Sequence, residues 1–87
     1  MILEEKAELI SVHIQEWLRR NDRLEAKPDD VMQYLKENGV YSMNRKSASH
    51  LRKDLRKLVE RNQVHLIKGL TFEQKSKNKL WFINRID

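Results

Sequence analysis

The sequence predicts a mainly α-helical domain with a small β-hairpin at its C-terminal end. Three stretches carry apolar residues at intervals of three and four positions, which is typical of helices that bury one face. Near the C-terminus the period changes, and the aromatic and β-branched run at 80–83 is typical of a strand. The 87 residues suffice for one small domain, so we assign residues 1–87 to a single domain.

The first helix is predicted over residues 3–20. Ile10, Ile14 and Trp17 belong to one apolar stripe, and charged or polar residues occupy the opposite side. Glutamates in the first turns and arginines in the last turn stabilise the helix through favourable interactions with its dipole.

The second helix is predicted over residues 28–38. Pro28 suits its first turn, and Val31 and Leu35 supply its buried face. Gly39 is predicted to end this helix in the left-handed conformation.

The third helix is predicted over residues 45–62, with Asn44 or Ser42 as its N-terminal cap. Leu51 and Leu55 belong to a strong apolar stripe with period 3.6. The opposite side is polar and basic, and comprises Lys46, Ser49, His50, Lys53, Arg56 and Lys57.

The C-terminal hairpin is predicted from two strands at 64–72 and 79–85, joined by a polar tip. Gly69 marks a bend or bulge in the first strand. The register is open, because apolar residues occur on both faces, and an outward Trp81 is expected to pack against another element. The predicted core comprises Ile10, Ile14, Trp17, Val31, Leu35, Leu51, Leu55, Leu58, Leu66 and Phe82.

The charge is divided unevenly along the chain. Residues 1–44 hold six Lys and Arg against nine Asp and Glu, whereas residues 45–85 hold twelve against three. This asymmetry predicts that the second half faces a polyanion, although a basic solvated surface with no partner is the plainer alternative.

Several classes of protein are disfavoured by composition. The absence of cysteine excludes disulfides and thiolate metal sites and fits an intracellular location, cytoplasmic or nucleoid-associated. No apolar run approaches the length of a membrane helix, and the acidic start of the chain is unlike a signal peptide.

Catalysis has little support in the sequence. His13, His50 and His65 fall on three separate predicted elements and lack the spacing of metal ligands. Both glycines are isolated, so no glycine-rich phosphate loop is present. We therefore expect no enzyme activity, no catalytic residues, no metal, no cofactor and no small-molecule ligand.

The order of elements is helix, helix, turn, basic helix and a hairpin with a lysine-rich tip. This order resembles the winged helix-turn-helix superfamily of DNA-binding domains over nearly the whole chain. The most telling stretch, residues 47–64, runs from the basic helix into the first wing strand, with Asn62 where many members carry Gly. The segment between Gly39 and Ser47 is longer than the turn of the simplest helix-turn-helix motifs.

The resemblance implies sequence-specific binding of double-stranded DNA by a small transcriptional regulator. The third helix would enter the major groove, and the hairpin, or wing, would reach phosphates or the adjacent minor groove. The residues placed for base edges are Arg45, Ser49, His50 and Lys53. Those placed for phosphates are Lys46, Arg52, Arg56, Lys57, Lys75, Ser76, Lys77, Asn78 and Lys79.

Other interpretations of the same residues stay open. The basic face could bind a protein within a nucleic-acid-processing complex, or it could bind RNA. Lys75, Lys77 and Lys79 could protect an edge strand from aggregation, although their alternation directs them to one side if the strand continues through the tip.

The N-terminal helix carries an additional apolar edge formed by Ile2, Leu9 and His13. This edge predicts a homodimer through the N-terminal helix, which would allow two recognition helices to meet half-sites about one DNA turn apart.

Overall fold

The computed structural model describes residues 2–44 and 47–87. This part of the chain forms three helices and a three-stranded antiparallel sheet, a mixed α and β arrangement. The elements in chain order are α1 (Leu3–Arg20), β1 (Glu25–Ala26), α2 (Pro28–Glu37), α3 (Ser49–Glu60), a single 3₁₀ turn (Val64–Leu66), β2 (Leu70–Gln74) and β3 (Lys79–Asn84). Within the described ranges, no helix has the length and apolar character needed to cross a bilayer.

The sheet has the order β1-β3-β2, so β3 is the central strand. The hairpin pairs Leu70 with Ile83 at its base and Gln74 with Lys79 at its outer end. Strand β1 was not predicted, because two residues are too few to show a period. Ala26 of β1 pairs with Ile83 and is buried, so β1 fastens the α1–α2 connection to the sheet.

The three helices end in the same way. Each is followed by a residue in the left-handed conformation: Asp22 at φ 51°, Gly39 at φ 78° and Asn62 at φ 58°. The next N–H then bonds back to a carbonyl of the last helical turn, as in a Schellman motif; these bonds are Arg23 to Leu18, Val40 to Leu35 and Gln63 to Leu58. The predicted role of Gly39 is confirmed. Asn62 was predicted as the last residue of the third helix but lies beyond its end at Glu60, in a conformation that Asn tolerates better than most residues other than Gly.

The predicted start and cap of the third helix are wrong. The helix begins at Ser49, and Ala48 occupies the cap position without a side-chain hydrogen bond. Ser42 instead accepts a 3.2 Å bond from the N–H of Asn44, which makes a local turn well before the helix.

The first predicted strand starts later than expected. Residues 64–66 form a 3₁₀ turn, and β2 begins only at Leu70. The backbone of Lys68 is held by α1, because its N–H donates to Ser11 Oγ at 2.9 Å and its carbonyl accepts from Gln15 Nε2 at 3.0 Å. The Ser11 and Gln15 side chains thus satisfy the N–H and the carbonyl of Lys68, which a longer strand would have paired with a neighbouring strand.

The core lies between the three helices and one face of the sheet. Seven of the ten predicted core residues are fully buried, namely Ile10, Ile14, Val31, Leu35, Leu51, Leu55 and Leu58. Trp17 and Leu66 are partly buried against this core. The prediction for Phe82 is wrong, because β3 turns Trp81 and Ile83 inward and the strand period places Phe82 on the other face.

Candidate nucleic-acid interface

The outer face of α3 is an exposed basic surface. Ser49, Lys53, Arg56 and Lys57 are all exposed on it, as the sequence predicted. Within residues 2–44 and 47–87, the three basic side chains of this group form no ion pair. Glu60 adds one exposed carboxylate in the final turn. The first three turns therefore present positive charge that is available to a polyanion.

The inner face of α3 is fixed by leucines and by one buried carboxylate. Asp54 is 8% exposed, and its Oδ2 accepts bonds from the Tyr41 hydroxyl at 2.6 Å and from Lys6 Nζ at 3.1 Å. Burial first, and then the bond to Asp54, raise the pKa of the Tyr41 phenol. Asp54 thus connects α3 to α1 and to the loop before α3.

The flanks of α3 differ from its outer face because their arginines are already paired. Arg52 contacts the carboxylate of Asp29 at the start of α2. Arg61 lies 3.2 Å from the carboxylate of Glu4 at the start of α1. The pKa of Glu4 is held below its ordinary value, mainly by a backbone hydrogen bond and to a smaller extent by this contact with Arg61. Sequence reasoning placed Arg52 among the phosphate contacts without this partner, which lies 23 residues away.

The start of α3 is organised by serines. The Ser47 and Ser49 hydroxyls are 2.8 Å apart, and Ser47 Oγ accepts the N–H of Ser49 at 3.4 Å. His50, a predicted base-edge residue, is half-buried and interacts with a neighbour. The predicted contacts Arg45 and Lys46 lie outside the described residues.

The tip of the hairpin is a four-residue turn. The Lys75 N–H donates to the Asn78 carbonyl at 2.7 Å, which closes the turn, and Ser76 and Lys77 are exposed in it. The strand therefore does not continue through the tip, and strand alternation does not align the three lysines. Lys75 lies 3.4 Å from the carboxylate of Glu73, an exposed pair of little strength. Lys79 pairs with Gln74 at the base of the turn.

A groove lies between α3, the start of α2 and strand β3. It has a volume of about 250 Å³ and is lined by Lys27, Pro28, Asp29, Arg52, Lys79, Leu80, Trp81 and Phe82. Three of these side chains are basic and one is acidic. Sequence reasoning missed Lys27, whose ammonium lies 6.0 Å from the centre of the Phe82 ring. No local pattern could reveal the groove, because β3, α3 and the start of α2 each supply only part of it.

This surface is suited to ionic and hydrogen-bonded contacts. Its donors are ammonium, guanidinium and hydroxyl groups, which suit phosphate oxygens and the acceptors of base edges. In the part of the chain that the structure describes, no group of three His, Cys, Asp or Glu residues could hold a metal ion.

Comparison of the chain with protein-family models, with curated proteins and with solved structures finds no match in any of the three. The interpretation of the basic surface therefore depends on the residues and geometry of this chain alone.

Proposed function

We propose that this chain is a winged helix-turn-helix domain that binds double-stranded DNA in a sequence-specific manner, as a small transcriptional regulator. The observation that carries the proposal is the outer face of α3, where Lys53, Arg56 and Lys57 are exposed and without ion pairs among the described residues. The helix beneath this face is held by a fully buried stripe, so the backbone positions from which these side chains extend are fixed relative to the core.

The arrangement of the hairpin supports the same proposal. Lys79 at the base of the turn and Arg52 of α3 line one groove, so the hairpin and the helix adjoin on one side of the molecule. In this proposal, a duplex that lies along α3 also contacts Lys79 and the tip residue Lys77. Three helices with a terminal hairpin are compatible with the winged-helix arrangement.

The two parts of the surface have different roles in this proposal. Ser49 and Lys53 are on the first turns of a rigid helix and reach base edges. Arg56, Lys57 and the hairpin lysines neutralise phosphates, which positions the domain and supplies affinity that is independent of sequence.

Selection of bound sequences from a random duplex library tests the proposal directly. We expect a defined motif for the wild-type chain and loss of enrichment for Lys53→Ala. Arg20→Ala, which removes an exposed cation from the end of α1, is the matched control and is expected to select the same motif. Failure of the wild-type chain to enrich any motif would contradict sequence-specific recognition.

Competition between duplexes separates DNA from RNA as the ligand. B-form DNA offers a major groove that admits α3, whereas the major groove of A-form RNA is too narrow for it. Unlabelled duplex DNA of the selected sequence is therefore expected to displace a labelled DNA probe, and duplex RNA of equal length is not. Equal competition by both would overturn the major-groove assignment.

A further inference from the structure

A second groove lies between α1, the 3₁₀ turn and the C-terminal segment. Its volume is about 500 Å³, and its lining includes Val12, Leu66 and Ile86. Val12 is 61% exposed and Ile86 is 54% exposed, so the groove presents apolar surface to solvent. None of its lining residues belongs to α3 or to the hairpin tip.

The walls of this groove are fixed by hydrogen bonds rather than by loose packing. Gln15 is 4% exposed, and its Nε2 donates to the carbonyls of Lys68 at 3.0 Å and Asn84 at 2.9 Å. Its Oε1 accepts the N–H of Ile86 at 3.1 Å, which holds the C-terminal segment at the edge of the groove. The groove therefore exists before any partner binds, and binding there requires little ordering.

We propose that this groove is the surface through which two copies of the chain associate, with their α1 helices antiparallel across a two-fold axis. A two-fold contact requires a surface that is complementary to itself. The charges on this side of α1 meet that requirement, because an acidic residue and a basic residue line the groove at opposite ends of the same stripe.

The complementary pair is Glu8 and Arg19. They are 11 positions apart in the sequence, which is about three helical turns and about 16 Å along the axis. An antiparallel second copy, with the two-fold axis at the midpoint between them, places Glu8 of each chain opposite Arg19 of the other. Arg19 also pairs with Asp87 at 3.5 Å, but both side chains are about half exposed and the pair can rearrange.

The apolar residue Val12 lies close to the same midpoint. Val12 is about 2 Å from this midpoint along the helix axis, so the two copies of Val12 meet at the centre of the contact. Ile86 adds apolar surface beside each of them. The contact thus has an apolar centre and a charged rim, as specific interfaces do.

This surface differs from the edge of α1 that the sequence singled out for a dimer. On that edge Ile2 and Leu9 are exposed, but the His13 ring contacts Tyr34 of α2 with centroids 6.3 Å apart. Tyr34 in turn donates to the carboxylate of Glu16, which raises its own pKa and lowers that of Glu16. Part of that edge is therefore already covered within the chain. The groove on the other side of α1 has no such cover in the described residues.

A charge-exchange experiment by sedimentation equilibrium tests the proposal. The wild-type mass is expected to rise from 10.5 kDa toward twice that value as concentration increases. Glu8→Arg and Arg19→Glu each place like charges opposite one another and are expected to weaken association about tenfold or more. The double variant recreates both pairs in reversed order and is expected to associate nearly as well as wild type.

Two further variants separate this groove from other surfaces. Val12→Arg is expected to abolish association, whereas Leu9→Arg on the other edge is expected to leave it unchanged. All substituted positions are exposed, and circular dichroism establishes that each variant is folded. A wild-type chain that is monomeric at high micromolar concentration overturns the proposal. So does a double variant that associates no better than the single ones.

Discussion

The hydroxyl of Tyr41 donates a 2.6 Å hydrogen bond to Oδ2 of Asp54, the carboxylate that α3 buries beneath its basic face. Lys6 of α1 donates to the same oxygen at 3.1 Å. One side chain of α3 therefore satisfies two donors, one from α1 and one from the loop before α3. A carboxylate on the otherwise apolar side of a basic helix is explained by this structural role.

Replacement of Asp54 by Ala is expected to lower the free energy of unfolding by about 2–3 kcal/mol. The substitution leaves the buried Tyr41 hydroxyl and the Lys6 ammonium without their acceptor. Urea denaturation followed by circular dichroism measures the loss. Glu60→Ala removes the same charge from the exposed side of the same helix and is expected to change stability by less than about 0.5 kcal/mol. Similar losses for the two variants would contradict the structural role of Asp54.

The stability of the protein is expected to fall above pH 10 because of Tyr41. Its pKa in the folded chain is raised above the ordinary value of 10.0, so its contribution is fully present below pH 10. Above that pH the unfolded chain releases the phenol proton and the folded chain keeps it, which favours unfolding by about 1.4 kcal/mol per pH unit.

The Tyr41→Phe variant isolates this effect. It loses the hydrogen bond to Asp54 and is less stable at neutral pH, but it has no phenol to ionise at this position. The difference in unfolding free energy between wild type and variant is therefore expected to shrink as pH rises from 9 to 11, measured by urea denaturation. A difference that stays constant over this range would show that Tyr41 ionises as readily in the folded chain as in the unfolded one.

Gly69→Ala is expected to destabilise the fold more than Gly39→Ala does. Both glycines are left-handed, at φ 79° and φ 78°, so the backbone strain is similar. A Cβ at Gly69 would lie 2.1 Å from the carbonyl oxygen of Asn84, whereas a Cβ at Gly39 would meet nothing within 4 Å. We expect a loss of about 1 kcal/mol at Gly39 and at least about 2 kcal/mol at Gly69, from thermal or urea unfolding. Equal losses would mean that the hairpin base shifts freely to admit a methyl group.

The helices were predictable because their signals are local. The bounds of α1 agree with the prediction at both ends, and those of α2 differ by one residue, since period and end residues such as Pro28 and Gly39 determine them. The hairpin was less predictable because its register depends on contacts distant in sequence. Phe82 and Trp81 are equally apolar neighbours, and only the packing of the sheet on the helices decides which one is buried.

The basic face of α3 could be predicted, but the pairing of its flanks could not. Periodicity alone placed Ser49 and Lys53 on the exposed side, and the structure places them there. The pairing of Arg52 with Asp29 depends on how α2 crosses α3, which no local spacing encodes. The groove that contains Lys27 and Lys79 was missed for the same reason.

In the proposed function, α3 and the hairpin supply different parts of the DNA affinity. Each phosphate contact contributes about 0.9 to the slope of log affinity against log salt concentration. Replacing Lys75, Lys77 and Lys79 with Ala is expected to flatten that slope by about 2 to 3 and to weaken every duplex alike. The lower value applies if Glu73 already offsets part of the charge of Lys75, which it faces at 3.4 Å.

Lys53→Ala is expected to behave differently, because the proposed function assigns Lys53 of α3 to base edges. The loss should be about 1–3 kcal/mol on the selected sequence and much smaller on random DNA. Titrations of both variants on both duplexes over a range of salt concentrations measure the two effects, with Arg20→Ala as the control for the loss of one exposed positive charge. If Lys53→Ala weakens all duplexes equally, α3 contacts only the backbone. If neither variant changes DNA binding, the basic surface serves a protein partner instead, since a charged face of this kind can bind acidic protein surfaces through the same contacts.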